Sequence, residues 1–171
     1  MLPPIGLFFG SSTGNSETVA RMIVKEFSPC QVDVFDLMYF KSYTIPSYTC
    51  YIFGIPTWDR QKIHEDWHEF LPILDTFDLA GKQVALYGLG DQTMYSGSFV
   101  NSLGILYEYI LNRNAKIVGS WPLESYSFKV SGGIRNNKFV GLVIDEDRQT
   151  ELTRHRVKKW VNQLKDEFSH T

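Results

Sequence analysis

Short apolar runs alternate with segments of helical period along this chain. The runs are residues 5–9, 32–35, 48–54, 84–89, 116–118 and 139–144. Between most of them, apolar residues recur three or four apart, as at Val19, Ile23 and Phe27, which is typical of amphipathic helices. Near-continuous apolar strands joined by helices form parallel sheets that are covered on both faces. The pattern therefore predicts an α/β fold, a doubly wound five-stranded parallel sheet with helices on both faces.

One segment interrupts this alternation. Residues 121–138 include two glycines and two asparagines at 132–133 and 136–137 and have no clear helical period, so we expect a loop insertion in the last strand, which resumes with FVGLVI. The 171 residues contain no linker, repeat or low-complexity tract. We therefore expect a single domain that spans residues 1–171.

Composition narrows the class of protein. The 17 Lys and Arg nearly balance the 19 Asp and Glu, which argues against a nucleic-acid partner. Only Cys30 and Cys50 are present, and they form no CxxC pair, as expected in the reducing cytoplasm. The N-terminus lacks the features of a signal peptide, and no apolar run reaches the ~18 residues of a membrane helix. We expect a cytoplasmic, unprocessed protein without membrane insertion.

Three predicted strands end in unusual loops, which read GSSTGNS, GIPTWDRQ and GLGDQTMY. Ligands of doubly wound sheets bind outside the carboxyl ends of the strands, so we expect these loops to converge. The first loop is rich in hydroxyls at the start of a helix, where backbone NH groups and the helix dipole favour an anion. It lacks the lysine of a Walker A sequence. The alternative is a helix start capped by Ser12 or Ser16.

The other two loops carry aromatic residues. Trp58 follows the third strand, and Tyr95 follows the fourth. Two aromatic rings at neighbouring strand ends can stack on both faces of a flat ligand. The alternative is that each is a half-buried loop residue, but their combination with a candidate anion loop favours a ligand that has both a phosphate and a ring.

The segments GSSTGNSETVA, GIPTWDRQKIHEDW, ALYGLGDQTMYSGSF and NNKFVGLVIDEDRQTELTRHRVKKWVNQL resemble a flavodoxin in order and spacing, and the insertion resembles that of the long-chain type. The resemblance runs from Ile5 to Phe168. It implies a low-potential one-electron carrier with non-covalently bound FMN, and no catalytic residue or metal. The implied cofactor-binding residues are Ser11, Ser12, Thr13, Gly14, Asn15, Ser16, Pro56, Thr57, Trp58, Asp59, Arg60, Leu89, Gly90, Asp91 and Tyr95.

The resemblance assigns further roles within this set. The hydroxyl loop holds the phosphate, Trp58 and Tyr95 flank the flavin ring, and the Asp59 carbonyl accepts a hydrogen bond from N5 of the one-electron-reduced ring. This chain has Arg60 and Lys62 where the family commonly has glycine and acidic residues, so we expect a less negative potential for the second electron. The implied partners are a flavin-containing NADPH or ferredoxin-type reductase as donor and low-potential metalloenzymes as acceptors, and the implied state is a monomer.

Three other functions are consistent with parts of the sequence. Gly10, Ser12 and Gly14 match the GxSxG motif of serine hydrolases, with Asp145 and His155 in the required order. Residues 64–68 match the zinc motif HExxH, although a solvated helix face with Trp67 buried explains them equally. The third alternative is a binding module of the same fold that has lost its flavin.

Overall fold

The structure is a computed structural model that describes residues 1–41, 47–58 and 63–170. Four helices and eight strands follow one another along these ranges. In chain order they are β1 (Ile5–Phe9), α1 (Asn15–Phe27), β2 (Val32–Asp36), β3 (Cys50–Pro56), α2 (Glu65–Leu74), β4 (Gln83–Leu89), α3 (Asn101–Leu111), β5 (Lys116–Val118), β6 (Ile134–Arg135), β7 (Lys138–Phe139), β8 (Leu142–Ile144) and α4 (Thr150–Ser169).

The main sheet is parallel and has the strand order β2-β1-β3-β4-β5, with β8 also paired to β4. The first half of β4 pairs with β5, from Gln83 opposite Lys116, and its second half pairs with β8, from Tyr87 opposite Leu142. β5 and β8 therefore share the fifth position of the sheet. This confirms the predicted five-stranded sheet with an insertion in its last strand.

Burial explains why the strands read as continuous apolar runs. Every residue of β1, β3 and β4 is buried, because helices cover both faces of the sheet. α1 turns Val19, Ile23 and Phe27 toward the core, at the predicted helical spacing. Near the centre, the ring of Phe8 stacks on Phe35 with the centroids 4.5 Å apart.

The prediction of one continuous strand over residues 139–144 is wrong, because the strand is interrupted. Phe139 ends β7, which forms a short antiparallel hairpin with β6, and the parallel strand begins at Leu142. Gly141 lies between them, and a Cβ at that position would be 2.1 Å from the carbonyl oxygen of Leu86. This close approach to β4 requires glycine and separates the hairpin from β8.

The insertion packs against the loop that follows β4. The backbone NH groups of Lys129 and Val130 donate to the carbonyl of Ser96, at 2.9 and 3.0 Å, and Phe99 N donates to the carbonyl of Val130 at 3.1 Å. The insertion therefore supports residues at the carboxyl end of the sheet. Among the residues that the structure describes, no helix has the length and hydropathy needed to span a membrane.

Candidate functional site

The three unusual loops leave the same edge of the sheet. Phe9 at the end of β1 pairs with Gly54 of β3, and Pro56 at the end of β3 pairs with Leu89 of β4. Because the strands are parallel, the loops that follow them begin side by side. This confirms the predicted convergence.

The first loop is built around Gly14. This residue has φ +87 and stands at the N-cap of α1, where no side chain of the described chain provides a cap. The Ser11 hydroxyl instead accepts a hydrogen bond from Gly14 N at 3.0 Å. The alternative of a helix start capped by Ser12 or Ser16 is therefore wrong, because the left-handed turn at Gly14 takes the cap position.

Ser16 links this loop to the core. Its carbonyl accepts a hydrogen bond from the Tyr87 hydroxyl at 3.0 Å, although its own hydroxyl is buried and has no hydrogen-bond partner among the residues that the structure describes. Buried hydroxyls are nearly always paired in native proteins. The Ser16 hydroxyl is therefore available to a ligand of this loop.

The second loop begins inside the protein. Thr57 is 1% exposed, its backbone NH donates to the carbonyl of Leu89 at 2.8 Å, and its hydroxyl accepts from Ser102 N at 3.2 Å. Trp58 is half-buried, and its indole Nε1 is buried without a partner in the described part of the chain. Asp59 and Arg60, predicted site residues, and Lys62 lie outside the described residues.

The third loop is held by Asp91, whose side chain turns into the protein. Its carboxylate accepts four hydrogen bonds, from Thr93 N, Met94 N and the guanidinium of Arg148. Burial raises the pKa of Asp91, but the bonds from Arg148 and the two backbone groups outweigh it and lower the pKa below its ordinary value. The carboxylate therefore stays ionised and organises the loop, whose half-buried Tyr95 donates from its backbone NH to the Asp91 carbonyl at 3.0 Å.

Arg148 is a residue that sequence reasoning did not identify. It lies in the turn between β8 and α4, and its Nε and Nη2 reach Asp91 at 3.0 and 3.1 Å. The fully buried Asp145 shapes the same turn, because its carboxylate accepts from Arg148 N and also from the backbone and side chain of Gln92. This pairing joins two loops 57 residues apart, and no local pattern signals it.

The serine hydrolase alternative fails at its base. The predicted histidine, His155, lies within α4, and Asp145 is engaged with Gln92 and Arg148 as described above. The imidazole that lies against Ser12 is that of His64, with 2.7 Å between Oγ and Nε2. The Nδ1 atom of His64 accepts a hydrogen bond from Asp66 N at 3.3 Å. A neutral ring with this acceptor carries its proton on Nε2, so it donates to Ser12 and cannot remove the serine proton.

The HExxH alternative is also unsupported. His64 uses both ring nitrogens as described above. Trp67 is fully buried, as the alternative to a zinc site predicts, although the side chain of His64 itself is only 10% exposed. Within residues 1–41, 47–58 and 63–170, no cluster of three or more potential ligand side chains is placed to hold a metal ion.

Comparisons with known proteins agree with this geometry. The sequence profile of the flavodoxin family matches residues 7–160. A flavodoxin of Synechococcus elongatus is 44% identical over 165 residues, which are 96% of this chain and 97% of the relative. Flavodoxin 1 of Escherichia coli K12 is 45% identical over 164 residues, which are 95% of this chain and 93% of the relative. The chain belongs to the flavodoxin family, whose members are electron-transfer flavoproteins.

A solved structure shows the same architecture. The crystal structure of Fusobacterium nucleatum flavodoxin bound to flavin mononucleotide superposes with a TM-score of 0.91 at 28% identity, over 98% of this chain and 99% of that one. The described fold thus has a close counterpart in a flavodoxin.

Proposed function

We propose that this protein is a low-potential electron carrier that binds FMN non-covalently at the three converging loops. The observation that carries the proposal is the meeting, at one sheet edge, of a hydroxyl-rich helix start with loops that bear Trp58 and Tyr95. Bound FMN would supply the redox chemistry, because its ring accepts and releases electrons one at a time. The protein supplies binding, orientation and electrostatics.

The first loop fits the phosphate. It contains no charged residue from Gly10 to Ser16, so hydroxyls, backbone NH groups and the dipole of α1 would hold the anion. The unpartnered Ser16 hydroxyl is one such donor, and Gly14 leaves open space, since a Cβ there would meet no described atom within 4 Å. The assigned residues are Ser11, Ser12, Thr13, Gly14, Asn15 and Ser16.

The other two loops fit the ring. Trp58 and Tyr95 would stack on its two faces, and the unpartnered Trp58 Nε1 offers a further donor. Backbone groups of Leu89, Gly90 and Asp91 would meet its polar edge, while the Arg148 pairing keeps that backbone in place. Trp58 would be held in position by its buried neighbours Pro56 and Thr57. We keep the predicted assignment of Asp59 and Arg60 to the polar edge of the ring.

The proposed partners rest on the resemblance to flavodoxins. We propose a flavin-containing NADPH or ferredoxin-type reductase as electron donor and low-potential metalloenzymes as acceptors. The exposed Met38, Tyr39 and Met94 lie beyond the carboxyl ends of β2 and β4, where a partner would approach the flavin. We further propose a monomer in the cytoplasm, in keeping with the two free cysteines, Cys30 and Cys50.

The test is stepwise anaerobic reduction of the purified protein with FMN, followed by absorption spectroscopy. We expect bound flavin to pass through a species with a long-wavelength band near half-reduction and then to bleach. Bleaching in one step, without that band, would contradict one-electron transfer and favour a two-electron flavoprotein. Failure to retain FMN would favour the alternative of a binding module that has lost its flavin. Labelling of Ser12 by a fluorophosphonate would favour the serine hydrolase alternative.

A further inference from the structure

His64 stands between the phosphate loop and α2. It is the N-cap residue of α2, and its side chain is only 10% exposed. The ring lies beside Gly10, where a Cβ would be 3.0 Å from Nδ1. Gly10, which directly follows β1, therefore gives His64 room to reach Ser12, at the 2.7 Å separation given above.

The two ring nitrogens have opposite roles. Nδ1 accepts from Asp66 N, a group that can only donate, so the proton of the neutral ring is on Nε2. The Nε2–H group then donates to Ser12 Oγ, which must use a lone pair to accept it. This leaves the Ser12 hydroxyl proton free to point toward an anion in the loop.

The surroundings of His64 favour the neutral form of its ring. Burial lowers the pKa of His64, although the charges of Asp66 and Glu65 on its own helix oppose that shift. The facing loop is uncharged from Gly10 to Ser16. Asp66 Oδ2 lies 3.7 Å from Nδ1, which is beyond the distance of a good hydrogen bond.

We propose that His64 is a positioning residue for the FMN phosphate, which orients the Ser12 hydroxyl so that it donates to a phosphate oxygen. The proposal rests on the proposed function, because it requires FMN phosphate in this loop. It assigns His64 two linked tasks, since one nitrogen caps α2 and the other directs Ser12. The start of α2 and the phosphate loop are thereby held in register.

Two variants separate these tasks. His64→Asn keeps a good N-cap for α2 but is too short to reach Ser12, whereas His64→Gln keeps a donor at the ε position and has a weaker cap. We expect His64→Asn to weaken FMN binding to the apoprotein about tenfold. His64→Gln should keep most of the wild-type affinity. Riboflavin, which has the ring but no phosphate, should bind all three proteins equally.

Ser12→Ala completes the design. If His64 acts through Ser12, His64→Asn should weaken FMN binding much less in the Ser12→Ala background than in the wild type. Additive losses would overturn the proposal in favour of direct contact, and equal losses for FMN and riboflavin would reduce His64 to a structural role. Unchanged FMN affinity in His64→Asn would also overturn it.

The tautomer is tested independently of any ligand. Long-range ¹H–¹⁵N NMR of the apoprotein above the His64 pKa should show the proton on Nε2, and a proton on Nδ1 would overturn the proposal. If the wild-type apoprotein binds neither FMN nor riboflavin, the proposed function itself fails and the phosphate role of His64 falls with it, even where the tautomer is as expected.

Discussion

Replacing Gly54 with alanine is expected to lower the free energy of unfolding by about 3 kcal/mol, the sum of an overpacked core and a lost hydrogen bond. Gly54 lies opposite Tyr87 in the sheet, and a Cβ at this position would be 2.0 Å from Tyr87 Cζ. The Tyr87 ring is fully buried, so it cannot move away without disrupting its neighbours. Its hydroxyl would then lose the carbonyl of Ser16 at the start of α1.

Urea denaturation measures this effect, with Gly97→Ala as the matched control. Gly97 is exposed, and a Cβ there would meet nothing within 4 Å in the described ranges, so we expect a change of no more than about 0.5 kcal/mol. The Gly54 variant should also bind FMN more weakly, because Ser16 belongs to the loop that we propose holds the phosphate. A Gly54→Ala protein as stable as the control would contradict the idea that the buried Tyr87 ring and its hydrogen bond to Ser16 hold that loop in place.

Replacing Trp58 with alanine is expected to weaken FMN binding about 30- to 100-fold. A stacked aromatic ring contributes about 1–3 kcal/mol to the binding of a flat heterocycle, and truncation also removes the indole Nε1 donor. Since Trp58 is already half-buried in the absence of ligand, its side chain loses little conformational entropy when FMN binds. Quenching of flavin fluorescence during titration of the apoprotein measures the affinity.

Riboflavin and a second variant make the Trp58 experiment specific. The loss acts on the ring, so riboflavin should lose affinity by the same factor as FMN, in contrast to the His64 variants. Trp58→Phe keeps a stacking surface and should lose far less than Trp58→Ala. Equal losses of affinity for the two variants would show that stacking on Trp58 contributes nothing. Unchanged affinity in both would show that the flavin ring does not bind at Trp58.

Sequence reasoning succeeded where the signal is periodic and local. The apolar runs of β1, β3 and β4 are continuous because both faces of the sheet are covered, and α1 shows its buried stripe at every third or fourth residue. Convergence of the three loops then follows from parallel pairing alone. The fold and the edge at which the three loops of the candidate site converge were therefore predictable.

The contacts that fix the loops were not predictable in the same way. Arg148 meets Asp91, and His64 meets Ser12, across 57 and 52 residues of chain, and neither pair has a local pattern. Gly14 replaced the predicted serine cap because its left-handed conformation decides the helix start. Gly141 similarly interrupts a run that reads as one strand, since only the close approach to Leu86 reveals the need for glycine.

The most direct test of the central claim is an amide NMR map of the ¹⁵N-labelled apoprotein on addition of FMN or riboflavin. We predict that FMN shifts three groups of amides, in residues 11–16, 57–58 and 89–95, and that riboflavin shifts the second and third groups but leaves 11–16 nearly unchanged. Such a difference would locate the phosphate in the first loop and the ring at the other two. An FMN map that leaves residues 11–16 unchanged, or one identical to the riboflavin map, would contradict the account.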